Sequence, residues 1–167
     1  MTDHSTQLWH YALRLYAKDG VQALCLDLQE NAGLDVCELL WLCWLDQQGL
    51  TLNNDWEAAL AGVRRWQHDM TLPLRRCRQA LKGTAAHSPL AHGIREQLKV
   101  DELDSEREAL TRLDALKAQE NAVRRKAHGE SLETSLARWA PGLSLDSRRL
   151  VARTLAQIQP HAEPGTS

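Results

Sequence analysis

The chain has 167 residues, 43% hydrophobic and 25% charged, with 20 Lys and Arg against 22 Asp and Glu and a formal net charge of −2. That length fits one domain, or a domain with an appendage, and is enough to bury a real core. The near-neutral balance argues against a chain built mainly to coat nucleic acid or an anionic membrane, and the ordinary apolar fraction argues against disorder throughout.

Six Trp and no Phe make the aromatic content mostly indole, and Ile (two) and Val (six) are scarce beside Leu and Ala. Strands favour β-branched and aromatic residues, so this balance predicts helix. Met1 to Gln7 are polar, without the basic stretch and apolar run of a signal peptide. The most apolar segment, Val36 to Leu45, is about half of the roughly 20 residues a membrane span requires. Cys25, Cys37, Cys43 and Cys77 form no C-x-x-C pair. They read as reduced, apolar fillers, and the expected location is cytoplasmic.

The first helix is predicted to begin near Ser5 or Thr6, to carry Leu8, Trp9, Ala12, Leu15 and Tyr16 on one face, and to stop at Gly20. A second, Val21 to Asn31, has Val21, Leu24, Cys25 and Leu28 on one side and ends by Gly33. Asp35 and Glu38 form a capping-box pattern ahead of a helix that is apolar almost all round and belongs at the centre of the domain. Asn54 and Glu57 predict a second box before a helix with the stripe Trp56, Ala59, Leu60, Val63 and Trp66. Thr71 and Pro73 mark a fresh start, with Leu74, Cys77 and Leu81 inward and a stop at Gly83. After a linker, Thr84 to Pro89, a charged, aromatic-free helix runs from Leu90 to about His128. It is supported by Glu108–Arg112 and Glu120–Arg124 pairs and bears a thin seam through Ala109, Leu113, Leu116, Val123 and Ala127. Short helices at Ser131 to Trp139 and Asp146 to Gln159 close the chain, with residues 160–167 as a disordered tail.

The prediction is therefore an all-α, compact helical bundle with a long charged helical arm and short C-terminal helices. Its segments are a Trp-rich core over 1–83, a linker and arm over 84–128, and C-terminal helices over 129–159, one domain in all. Charge is polarised along it: residues 1–60 hold two basic and nine acidic side chains, residues 61–99 eight basic and two acidic. Arg64, Arg65, Arg75, Arg76, Arg78 and Lys82 either offset the acidic N-terminal half and the acidic run Asp101, Glu102, Asp104, Glu106 and Glu108, or form a candidate patch for an anionic partner: phosphate, an RNA backbone or an acidic protein face. Trp9, Tyr16, Gln29 and Trp44 form a candidate pocket with aromatic walls and one polar contact.

Catalytic and metal signatures are missing. No Glu-x-x-His pair occurs, His87 and His92 fall on different helix faces, and His10, His68 and His128 are isolated. Cys77 lies among arginines that favour a thiolate, but its stripe with Leu74 and Leu81 reads as core. No catalytic residue, cofactor or metal ligand is assigned.

The order Trp9…Ala12-Leu13…Tyr16, Gly20-Val21, Cys25-Leu26-x-Leu28-Gln29, Gly33-x-Asp35-Val36, Leu39-Leu40 and Trp44-Leu45 resembles an uncharacterised proteobacterial family, a domain of unknown function. The similarity continues through Trp66 and Pro73-Leu74-Arg75 to Leu81-Lys82, about half of the chain. The resemblance implies a small bacterial cytoplasmic protein with no assigned activity. The leading expectation is a non-enzymatic protein-interaction or adaptor module acting through the charged arm, with a protein partner or self-association. RNA or ribosome association through the basic patch is the alternative, and a small-molecule or enzymatic role in the pocket the third. Neither membrane nor DNA is an expected partner.

Overall fold

The computed structural model describes residues 4–156. In order the elements are α1 (His4–Tyr16), α2 (Val21–Asn31), α3 (Val36–Gln47), β1 (Leu50–Leu52), α4 (Trp56–Trp66), a π-helical turn (Gln67–Thr71), α5 (Leu72–Ala80), α6 (Lys82–Ala85), α7 (Pro89–Ala115), a 3-10 turn (Leu116–Ala118), β2 (Val123–Arg125), α8 (Leu132–Trp139) and α9 (Leu145–Ala156). The fold is all-α, with one small ribbon between β1 and β2 that the sequence reading did not contain. Backbone bonds from Asn53 N–H to the Ala122 carbonyl (2.8 Å) and from Lys126 N–H to the Gly49 carbonyl (2.9 Å) give it an antiparallel register. No helix of the described residues is long and apolar enough to cross a membrane.

Several local expectations are corrected. The charged helix ends at Ala115, not near His128, because Gln119–Ala122 turn and Val123 enters the ribbon as a buried residue. The Glu120–Arg124 pair therefore does not form, and Arg124 instead grips Glu130 with two bonds of 2.8 and 2.7 Å. Asp35 does cap α3, accepting from Glu38 N–H at 3.0 Å, and the buried Glu38 carboxylate accepts from the Trp139 indole. Asn54 and Glu57 form no box. Asp55 holds the cap position without a side-chain bond, while the Asn53 side chain accepts from Asn54 N–H at 2.8 Å and donates to the Glu120 carbonyl. Ser88 caps α7 at Ala91 N–H (3.2 Å), with Pro89 in the first turn as expected. The predicted helix end at Gln159 and the tail 160–167 lie outside the described residues.

The described residues divide into two compact units: residues 4–9 with 53–123, and residues 10–52 with 124–156. Each joins segments that the sequence reading kept apart.

The second unit is organised on α3, which is buried almost all round from Cys37 to Cys43 and again at Leu45. Val21, Cys25 and Leu28 of α2, Leu136 and Trp139 of α8, and Val151 and Leu155 of α9 complete its core. Its buried polar groups are paired across long sequence distances. Thr51 and Ser135 share a hydroxyl bond of 2.7 Å, and the Trp139 indole donates to the Glu38 carboxylate at 3.1 Å. Lys126 is ion-paired to Asp46.

The first unit is a long antiparallel hairpin. The helical path through α4, the π turn and α5 runs without a break from Trp56 to Ala80, where the sequence reading placed a fresh start at Thr71. A π turn suits this position. Pro73 has no N–H, and its ring would clash with a carbonyl four residues back in a tight α-helix, whereas the wider turn opens that spot. Beside this rod α7 runs back for 27 residues, about 40 Å. The charged helix is thus the spine of the unit.

Candidate functional site

The hairpin seam changes character along its length. Near its base, Trp56, Leu60 and Val63 of α4 and Ala109, Leu110 and Leu113 of α7 are buried apolar groups. At the π turn the seam becomes polar. Thr71 is 1% exposed and bonds to the Gln67 side chain and to Ser105 (2.6 Å), and the Trp66 indole donates to the Ser105 carbonyl at 3.0 Å. One turn further, Glu102, itself buried, accepts from Arg75 Nε at 2.9 Å and from Arg78 Nε, while Arg75 also reaches Glu106 at 2.9 Å. Burial alone would raise the Glu102 pKa. Hydrogen bonds from Arg78 and Arg75 outweigh it and hold the carboxyl below its ordinary value.

Beyond this network the hairpin has no third layer. Among the described residues α5 and α6 bury none, and α7 buries only Ala91 before Glu102. Apolar side chains here include half-buried Leu72, Leu74, Leu81 and Leu98 and exposed Cys77, Met70 at 44%, Ile94 at 48%, Val100 at 53% and Leu90 at 75%. Cys77 was expected to be core. Its stripe with Leu74 and Leu81 exists, but nothing of the described chain covers it.

The residues of the candidate basic patch have different fates. Arg75 and Arg78 are committed to Glu102 and Glu106, and Arg64 lies over the Trp56 ring, 5.6 Å from its centroid. Arg65, Arg76 and Lys82 are exposed. Of the candidate pocket residues, Trp9 belongs to the first unit, where Arg107 stacks on its ring at 5.2 Å. Tyr16, Gln29 and Trp44 belong to the second and are half-buried. The Trp44 ring packs on Tyr11 at 5.0 Å, and the indole N–H groups of Trp41 and Trp44 are buried without a hydrogen-bond partner. Burial raises the Tyr11 hydroxyl and Cys43 thiol strongly, and the Cys25 thiol to about 11, so all three are protonated at neutral pH. Among the described residues no His, Cys, Asp and Glu groups are arranged to hold a metal ion.

Residues 7–113 match the model of the family described as protein of unknown function (DUF2390). The chain belongs to this family. The match ends inside α7, so it spans the whole apolar stripe of α5 and the exposed start of α7. No curated protein and no solved structure matches the chain.

Arg75 and Arg78 do offset the acidic run, at Glu102 and Glu106, but the burial of Glu102 and the part played by Ser105 were not expected. A signal for them was present. Glu102, Ala109 and Leu113 are spaced by seven and four residues, and Ser105 lies four before Ala109, which places all four on one helix face.

Proposed function

We propose that this chain is a non-enzymatic protein-interaction module whose docking element is the outer half of the first-unit hairpin. One observation carries the reading: apolar side chains including Met70, Leu74, Cys77, Leu81, Leu90 and Ile94 stand on a two-helix element whose seam is polar and which, among the described residues, no third layer covers. Contiguous exposed apolar surface on a soluble helical element is the ordinary mark of an interface. The arginine-rich character of α5, which first favoured RNA, is weakened as a phosphate surface because two of its cations, Arg75 and Arg78, already serve Glu102.

A photo-reactive amino acid at position 90 of the full chain, in the native host, tests this. Irradiation is expected to yield protein adducts there and none from position 150, an exposed leucine of the second unit. Adducts that ribonuclease removes would favour the RNA reading, and the lack of any adduct at position 90 would overturn the interaction reading.

A second reading, a small-molecule site in the second unit, is favoured by the orphan indole donors of Trp41 and Trp44. A buried donor without a partner costs about 1–3 kcal/mol, which a ligand carrying an acceptor could recover. A metabolite screen by thermal shift tests it; a Trp44→Phe variant that keeps every ligand response rejects it.

A further inference from the structure

We draw no further inference here: the strongest candidate, the apolar face of the first-unit hairpin around Leu74, Leu81, Leu90 and Ile94, carries none because nothing in the structure shows what covers it.

Discussion

Replacing Glu102 by Gln removes one charge from the centre of the hairpin network and leaves the shape intact. Glu102 is 7% exposed and accepts from Arg75 Nε (2.9 Å), Arg78 Nε and Arg78 Nη2 (3.3 Å). A Gln offers one oxygen to these donors and points an NH2 group at a guanidinium, so about two charge-assisted bonds are lost. Such bonds contribute roughly 1.5–3 kcal/mol each, and breaking a buried ion pair from one side costs about 3–5 kcal/mol. Arg75 keeps Glu106, and the Arg75 and Arg78 side chains are 17% and 22% exposed, so water reaches them and the lower end applies. The expected loss is about 3 kcal/mol, or a melting temperature lower by about 6–12 °C for a chain of this size. Glu108→Gln, which breaks the exposed pair with Arg112, should change stability by no more than about 0.5 kcal/mol. Urea and thermal melts by circular dichroism at several pH values decide the matter. Because the folded-state pKa of Glu102 is depressed, its contribution is present above the ordinary carboxylate range and is lost as pH falls through the folded value. The gap between wild type and Glu102→Gln should therefore narrow as pH falls out of the ordinary carboxylate range and close only below the depressed folded value. A variant within about 1 kcal/mol of wild type at pH 7, or a gap that persists in acid, would refute the network as a source of stability.

Three further outcomes are expected from the described contacts. Native chain should react with a thiol reagent at one of its four cysteines, Cys77, and at all four once unfolded in guanidinium; more than one fast native thiol would contradict the burial of Cys25, Cys37 and Cys43. Trp139→Phe deletes the indole donor to buried Glu38 and should cost about 2 kcal/mol in urea titrations, with a neutral result counting against that bond. Glu130, held down by the Arg124 guanidinium and then by the Ala127 N–H, should titrate at about 2 by carbon-detected NMR and return upward in Arg124→Gln.

Most helices were legible because Leu, Trp and Ala recur at three- and four-residue steps and because Ser88, Pro89 and Asp35 act through local capping chemistry. The ribbon was not, since strands of three residues carry no periodicity and their pairing joins segments far apart along the chain. The 3-4 stripe through Leu74, Cys77 and Leu81 was legible as a stripe, but its lack of cover was not. Spacing reports which residues share a face, and only the packing of the whole chain reports whether anything lies against that face. For Glu102 the charge map showed an acidic run for the arginines to offset, but spacing alone did not show that this one carboxylate is buried against Arg75 and Arg78.

The π turn at Gln67–Thr71 gives this fold an unusual sensitivity to length. Deleting one residue there would wind α5 back by about a third of a turn, return Met70, Leu74, Cys77 and Leu81 to α7, and throw Arg75 and Arg78 outward. A single codon lost would thus exchange the outer surface of the hairpin from apolar to cationic, with no substitution at any position. Family members can be sorted on this basis by the number of residues between their counterparts of Trp66 and Pro73, and those one residue shorter should show a basic outer face in place of an oily one.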